Sequence, residues 1–232
     1  MVSDHHDEQR RREQRDLRRA ADFQRAYADA ILAGAQRTSE GVVREAVDAG
    51  LGEALINDHV IRPALVLVGD LWAEGSISVA DEHLATSISV RVTTLLREAF
   101  RVARRRGSRR ILLAGAQGEH HVVGLEMASS IIGHAGYDVR LFGADLPVAS
   151  ITGAVARHRP TVVGFTSATV LTAVNLPAAF EAVRRVNPGI GLVVGGQGIP
   201  PEMVVGWDVA VCRHVADAVE QVDALVQRAR RN

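Results

Sequence analysis

Residues 115–124 read GAQGEHHVVG, and this stretch decides how the chain is interpreted. It follows a short apolar run, Ile111–Ala114, and leads into a helical pattern. A strand, a glycine-rich loop and a helix in that order predict a ligand site at the carboxyl edge of a parallel sheet. The loop lacks the glycine spacing of a phosphate cradle. Its pattern Glu119-x-His121-x-x-Gly124 instead predicts a metal-ligating imidazole with a carboxylate partner.

Around this loop, residues 109–232 alternate between short β-branched runs and helical patterns. The predicted strands are Ile111–Ala114, Val139–Phe142, Thr161–Thr166, Gly191–Val194 and Asp208–Val211, and the predicted helices are Val122–Ala135, Ala149–Arg157, Ala173–Val186 and Ala216–Arg228. Strands alternating with helices of this length predict a parallel, doubly wound sheet. We expect a flavodoxin-like or Rossmann-like domain with five strands.

Two further loops are expected at the same sheet edge. Residues 166–169 are small and hydroxylated, and residues 195–198 carry almost no side-chain bulk. Small residues on neighbouring loops predict a deep slot that admits a flat heteroaromatic group, with the imidazole of His121 reaching a metal nearby. No nucleophile with an adjacent base is visible in these loops, so the pattern does not indicate hydrolytic catalysis.

Residues 20–107 show helical periodicity throughout, which predicts a bundle of four or five helices. Phe23, Tyr27 and Ile31 recur every four residues, and Gly34 supplies a stop. The further predicted helices are one capped by Ser39 and closed by Gly50, one over Glu53–Ile61, one from Pro63 to Glu74 before Gly75, and one over Val79–Arg106.

Residues 1–19 form a charged arm with arginines and acids interleaved. This pattern indicates a solvated helix extension. A docking arm for a protein or for DNA is the alternative, although the acids argue against DNA. The whole chain carries 27 basic and 27 acidic side chains, so its total charge does not favour nucleic acid as a partner.

The single cysteine, Cys212, excludes an intrachain disulfide and fits a reducing compartment. The chain starts with polar and charged residues, and no apolar run approaches the roughly 20 residues that span a bilayer. We therefore expect a cytoplasmic protein with no membrane association.

The three loops together resemble the cobalamin-binding domain, whose signature is Asp-x-His-x-x-Gly, Ser-x-Leu and Gly-Gly. The matching residues are Glu119-x-His121-x-x-Gly124, Ser167-x-Thr169 and Gly195-Gly196. The resemblance implies that His121 ligates cobalt in place of the cofactor's own benzimidazole, which then occupies the slot. Two positions depart from the signature, because Glu119 replaces Asp and Thr169 replaces Leu.

The N-terminal half extends the resemblance to nearly the whole chain. A helical bundle before a cobalamin domain is typical of methionine-synthase-like modules, of corrinoid methyl carriers and of CarH-type light-responsive transcription regulators. The regulators carry Trp-x(9)-Glu-His over the upper face of the corrin, and Trp72 with Glu82-His83 has that spacing. The resemblance implies that Trp72 packs against an adenosyl group and that Glu82 contacts its ribose.

Two features differ from those regulators. Only about 20 charged residues precede the bundle, which is too few for their MerR-type DNA-binding domain. The histidine that follows the motif tryptophan in the best-known regulators is Ala73 here. After photolysis, either His83 or His59 replaces it as a cobalt ligand, or the cobalt keeps water, or the cofactor leaves.

The expected function is an adenosylcobalamin-binding light sensor and regulator rather than an enzyme. Its output passes through a regulatory protein partner or a change of homo-oligomer, because no DNA-reading module is visible and direct DNA binding is not expected. The alternative is a corrinoid methyl carrier, for which methylcobalamin is the cofactor; hydroxocobalamin is a further possible form. A mutase subunit fits less well, since the chain has no room for a substrate barrel.

Overall fold

The computed structural model describes residues 2–101 and 109–231 and divides into two compact units, Met1–Phe100 and Arg101–Asn232. The first unit is helical and the second contains the sheet, as the fold class predicts. No helix within the described ranges is both long enough and apolar enough to cross a membrane.

The first unit consists of four long helical segments. They are α1 (Val2–Leu32), α2 (Gln36–Asp48), a continuous segment of α3 (Glu53–Ile56), a π-turn (Asn57–Ile61) and α4 (Arg62–Ala73), and α5 (Val79–Ala99). Gly34, Gly50 and Gly75 follow the ends of the first three segments with positive φ angles, which places each glycine where the sequence predicts a stop.

The predicted break between the third and fourth helices is wrong. The backbone stays helical from Glu53 to Ala73, and Pro63 is the second residue of α4. A proline ring normally clashes with the carbonyl four residues earlier. The π-turn directly before Pro63 widens the helix at that point, so the ring is accommodated without a break.

The predicted N-cap of the second helix is also wrong. Helix α2 begins at Gln36, three residues before Ser39, and Ser39 is fully buried inside it. Its hydroxyl donates to the carbonyl of Ala35 at 3.1 Å. A serine can satisfy its hydroxyl this way within a helix, so the residue type alone does not identify a cap.

Helix α5 begins with a capping box and ends earlier than predicted. The Ser78 hydroxyl accepts the Asp81 N–H, while the Asp81 carboxylate accepts the Ser78 N–H. The helix ends at Ala99, where Phe100 leaves the helical region without a glycine or proline to mark the stop. The remainder of the predicted helix, residues 102–106, lies outside the described residues.

Buried apolar side chains from all four segments form the core of the first unit. Tyr27 on α1 is completely buried, and its hydroxyl donates to Ser89 on α5 at 3.0 Å. Burial raises the pKa of Tyr27 to about 12, and the Ser89 hydrogen bond opposes that shift only in part. Tyr27 therefore stays neutral while linking two helices.

The charged arm is the first part of α1. Side chains from His6 to Arg15 are all exposed, whereas from Ala20 onward the helix buries residues at helical spacing. The arm is thus a solvated helical extension in its described part, as its mixed charges predict.

The second unit is a five-stranded parallel sheet in the order β2-β1-β3-β4-β5, the flavodoxin-like order. The strands are β1 (Arg110–Gly115), β2 (Asp138–Leu141), β3 (Val162–Thr166), β4 (Gly191–Gly195) and β5 (Val209–Cys212), and the helices are α6 (Val123–His134), α7 (Val148–His158), α8 (Val170–Ala173), α9 (Leu176–Val186) and α10 (Asp217–Arg228). Each predicted strand is found to within about one residue at either end.

Helices cover both faces of this sheet. Leu112, Val163 and Phe165 share one core with α7, α8 and α9, while Ile111 and Val162 share the other with α6 and α10. Alternate residues of each strand thus enter opposite cores, so the strands read as continuous apolar runs.

The predicted helix Ala173–Val186 begins three residues later than expected, and a separate short helix precedes it. The short α8 ends at Ala173, and α9 starts at Leu176 with Pro177 in its first turn. Proline suits this position, because the first turn of a helix has no intrahelical partner for its N–H groups. Helix α8 directly follows the β3 loop and therefore brings its side chains to the carboxyl edge of the sheet.

Candidate functional site

The loop between β1 and α6 carries the acid and the histidine that the sequence singles out. Gly118 turns the chain with a φ of +84°, and the Glu119 N–H closes the turn on the Ala116 carbonyl at 2.8 Å. The Glu119 side chain points inward and is completely buried, whereas the His121 side chain is 59% exposed. The loop therefore buries its acid beneath an accessible imidazole.

Glu119 holds His121 through one carboxylate oxygen. Its Oε1 accepts the backbone N–H of His121 at 2.8 Å and lies 2.5 Å from Nδ1 of the same residue. A carboxylate that engages one imidazole nitrogen fixes the tautomer and orientation of a metal-binding histidine. The departure from aspartate noted in the sequence thus still leaves a carboxylate in contact with the imidazole.

The second oxygen of Glu119 is satisfied by the β3 loop. Oε2 accepts the Ala168 N–H at 2.5 Å and the Thr172 hydroxyl at 2.9 Å. Burial by itself would raise the pKa of Glu119, but the hydrogen bonds from His121, Ala168 and Thr172 outweigh it and lower the pKa to about 2. The acid is therefore ionised and fully hydrogen-bonded at neutral pH.

Thr172 connects Glu119 to the predicted site residue Ser167. Its Oγ1 lies 2.6 Å from the Ser167 hydroxyl, and Ser167 also donates to the Thr169 carbonyl at 3.0 Å. Sequence reasoning missed Thr172, which lies in α8 beyond the matched motif. The only available signal was a hydroxyl residue in the first turn after a loop at the sheet edge.

The glycines after β4 allow two loops to touch. A Cβ on Gly196 would lie 2.0 Å from the Ser167 carbonyl oxygen, and one on Gly198 would lie 2.2 Å from the backbone of Thr169. Gly196 also has a φ of +125°, a conformation that other residues rarely adopt. The Gly195–Gly198 loop therefore lies directly on the β3 loop, which only glycine permits.

A row of small side chains crosses the sheet at its carboxyl end. Gly115, Thr166, Gly195 and Cys212 are register partners on four adjacent strands. They share the face of Leu113 and Val193, against which α6 and α10 pack. The Thr166 hydroxyl is buried without a hydrogen-bond partner, although it can both donate and accept. Within this row, the Thr166 hydroxyl offers a polar contact that no described residue uses.

The other predicted loop residues are accessible. His120 and Gly124 are exposed, and a Cβ on Gly124 would meet nothing within 4 Å. Packing within the chain does not require glycine at position 124. His120 lacks the carboxylate contact that orients His121, so the structure distinguishes the two neighbouring histidines.

The remaining predicted residues lie in the helical unit. Trp72 is the second-last residue of α4 and is 50% exposed, and Glu82 and His83 lie in the first turn of α5. Glu82 Oε2 is 2.6 Å from His83 Nδ1, and Oε1 accepts the Thr86 hydroxyl at 2.9 Å. The indole is therefore accessible at the end of one helix, and the acid–imidazole pair is held by hydrogen bonds near the start of the next.

A metal at His121 needs ligands from outside the protein side chains described. Across residues 2–101 and 109–231, no three His, Cys, Asp or Glu side chains are grouped to hold one metal ion. A corrin supplies its own equatorial nitrogens and needs only an axial ligand from the protein. The single oriented imidazole of His121 fits that requirement, and the buried Thr166 hydroxyl offers a polar contact to the rest of such a group.

Comparison with known proteins identifies B12 binding domains in both parts of the chain. The B12 binding domain model matches residues 109–223, and a second B12 binding domain model matches residues 24–97. The monomethylamine corrinoid protein of Methanosarcina barkeri has a similar structure, with a TM-score of 0.73 at 16% identity over 86% of this chain and 95% of that one. The MtaBC methanol:cobalamin methyltransferase complex of the same organism gives a TM-score of 0.50 at 19% identity, over 89% of this chain and 80% of that one.

Two relatives are transcriptional repressors of Myxococcus xanthus. The HTH-type repressor CarH is 30% identical over 204 residues, which is 86% of this chain and 66% of CarH. The HTH-type repressor CarA is 30% identical over 123 residues, which is 53% of this chain and 42% of CarA. The chain thus spans about two thirds of CarH and less than half of CarA. With B12 binding domain models matching most of its length, the chain belongs to the cobalamin-binding-domain proteins and resembles the CarH family.

Proposed function

We propose that this cobalamin-binding protein is an adenosylcobalamin-dependent light sensor that signals through a protein partner or a change of oligomer. The observation that carries the proposal is the exposed Trp72 at the end of α4, with Glu82 and His83 in the first turn of α5. This is the Trp-x(9)-Glu-His spacing of the CarH-type regulators, and CarH itself is 30% identical to this chain.

On the lower side of the cofactor, His121 is the proposed cobalt ligand. Glu119 engages Nδ1, so coordination falls to Nε2. We assign the benzimidazole tail to the slot formed by Ser167, Thr169 and Gly195-Gly196. In that slot the buried Thr166 hydroxyl gains a hydrogen-bond partner.

On the upper side, the proposed contact for the adenosyl group is the half-exposed indole of Trp72. Adenine offers a flat π-surface for stacking on an indole. The Glu82 carboxylate, held by His83 and Thr86, accepts hydrogen bonds from ribose hydroxyls. Gly124 gives room beside His121, because its missing side chain serves no packing contact within the chain.

When bound, adenosylcobalamin supplies a cobalt–carbon bond that visible light breaks. Trp72 and Glu82 would contact the adenosyl group only while it is bound, so conformations that differ in these contacts would change in relative free energy once it is absent. A partner or a second copy responds only if it binds the two states with different affinity. Since residue 73 is alanine, no histidine follows the tryptophan to ligate cobalt afterwards.

A corrinoid methyl carrier is the opposing function, and the monomethylamine corrinoid protein shares the fold. A methyl group offers little surface for an indole, so such a carrier gains nothing from an exposed Trp72. The two functions therefore predict different preferences among upper ligands.

The deciding experiment reconstitutes the protein with adenosylcobalamin and, separately, with methylcobalamin. Absorption spectra and size-exclusion profiles are then recorded in the dark and after green light. We expect tighter binding of the adenosyl form and a light-dependent change in size or in partner capture. Tight methylcobalamin binding with methyl transfer to a thiol acceptor, and no light-dependent change of state, would establish the carrier instead.

A further inference from the structure

Asp145 has a backbone conformation that its residue type rarely adopts. Its φ is +48°, and among the described residues only Arg159, at +46°, is another non-glycine with positive φ. Aspartate tolerates this left-handed region better than most residues, but the conformation still costs free energy. The surrounding contacts must therefore hold it in place.

Those contacts all involve the loop that carries Glu119. The Asp145 carboxylate accepts the Gly118 N–H at 2.7 Å, and the Asp145 N–H donates to the Glu119 carbonyl at 2.8 Å. The left-handed conformation allows one residue to present both groups to the same short segment. Asp145 thereby binds the Gln117–Gly118 and Glu119–His120 peptide units, which lie before and after the Gly118–Glu119 peptide.

The loops approach so closely at this point that a side chain on Gly115 would push them apart. A Cβ on Gly115 would lie 3.0 Å from the Glu119 carbonyl oxygen and 3.3 Å from the Asp145 nitrogen. The Leu146 N–H donates to the Gly115 carbonyl at 3.1 Å, and the Val148 N–H donates to the Gln117 side chain at 2.9 Å. The residues after β2 and those after β1 therefore form one hydrogen-bonded assembly.

We propose that Asp145 is a positioning residue for the cobalt ligand. It fixes the backbone on either side of Glu119, Glu119 fixes Nδ1 of His121, and the imidazole is thereby aimed before cobalamin arrives. The inference rests on the proposed His121 ligation but not on light sensing. Side chains that orient a metal ligand typically contribute about 10–100-fold in metal affinity.

Three variants separate the carboxylate's role from backbone strain. D145N keeps both an acceptor and tolerance of positive φ, whereas D145G removes the acceptor and relieves the strain. R159G is the matched control, because it relieves the same strain at the end of α7, where Arg159 bonds Val155. Each variant is titrated with hydroxocobalamin, its spectrum is scored for histidine-ligated, base-off cobalt, and amide exchange of Gly118 is measured without cofactor.

We expect D145G to bind hydroxocobalamin about 10–100-fold more weakly, with a reduced histidine-ligated fraction and faster Gly118 exchange. D145N and R159G should match the wild type in all three measurements. The circular dichroism spectrum of D145G checks that it folds; should it not fold, D145A, which also lacks a side-chain acceptor, takes its place. Unchanged affinity and spectrum in a folded D145G or D145A variant overturn the proposal.

The result is independent of the light response. A wild-type protein that binds cobalamin through His121 but ignores light fails the proposed function and still gives a readable Asp145 comparison. A light-responsive protein whose D145G variant keeps full affinity and the histidine-ligated spectrum fails only the Asp145 proposal.

Discussion

Glu119 is a buried acid that remains charged because four hydrogen-bond donors surround it. Two come from His121, one from the Ala168 backbone and one from Thr172. A buried carboxylate without such donors would take up a proton. The charge keeps the imidazole oriented, and it makes both the fold and the site sensitive to the loss of any one donor.

The low pKa of Glu119 predicts a specific acid dependence of stability. The folded-state pKa of about 2 lies below the ordinary 4.5, so the group stabilises the fold above pH 4.5 and that contribution is lost as pH falls towards 2. At neutral pH this amounts to about 3 kcal/mol. Urea unfolding of the wild type and E119Q from pH 7 to 2.5 should show their difference shrinking within that window. A constant difference would contradict the assignment.

At the same scale, His121 and His120 are natural controls for each other. We expect H121A to lose the histidine-ligated cobalamin spectrum, because it removes the imidazole that Glu119 orients. H120A should retain the spectrum, since no carboxylate holds that side chain. Absorption and electron paramagnetic resonance spectra of the reconstituted variants check this. A histidine-ligated spectrum in H121A would refute the assignment of His121 as the cobalt ligand.

Between elements, the Gly195–Gly198 loop lies in direct contact with the β3 loop. The contact brings the ends of β3 and β4 together next to the row of Gly115, Thr166 and Gly195. It exists because Gly196 and Gly198 lack side chains, so it depends on backbone geometry.

We expect G196A to destabilise the protein by at least about 2 kcal/mol and to weaken cobalamin binding. The added Cβ would overlap the Ser167 carbonyl, and φ at this position is +125°. G153A is the control, because Gly153 lies in the exposed part of α7 with nothing within 4 Å. That variant should gain about 0.5–1 kcal/mol from helix propensity. Thermal unfolding compares the two, and equal stability would contradict the close contact.

Sequence patterns predicted elements better than their boundaries. Gly34 and Gly75 end helices because positive φ suits glycine, so residue type alone was sufficient there. Pro63 and Ser39 misled for the opposite reason, since the widened π-turn and a buried hydroxyl bond depend on the surrounding structure. A residue type indicates the local conformation that it prefers. It does not indicate the contacts in the folded chain that can override this preference.

In the candidate site, too, residues that are close in sequence could be predicted, and residues that are distant in sequence could not. Glu119 and His121 are two residues apart, so a spacing rule finds them. Thr172 and Asp145 meet Glu119 from positions 53 and 26 residues away, which only the sheet topology brings together. The Asp145 contact also needs a left-handed backbone, for which aspartate carries no unique sequence signal.

At the scale of the whole molecule, cobalamin binding should stabilise the folded chain by mass action. If Trp72 contacts the adenosyl group, adenosylcobalamin in the dark raises the melting temperature more than methylcobalamin does, and W72A removes that difference. Illumination should remove it in the wild type as well. Scanning calorimetry at saturating cofactor measures each case, with H120A as the control variant. Equal stabilisation of wild type by both cofactors would contradict the contact.

The single cysteine of the chain offers a reporter that needs no engineering. Cys212 ends β5 beside Gly195, and burial, together with the charge of Asp217, raises the pKa of its thiol to about 12. The reactive thiolate is therefore scarce at neutral pH, and we expect maleimide to label the native protein slowly and the urea-unfolded protein fast. The labelling rate, followed by mass spectrometry, then reports how often this edge of the sheet opens and exposes the thiol. Because the chain has one cysteine, every label is attached at residue 212.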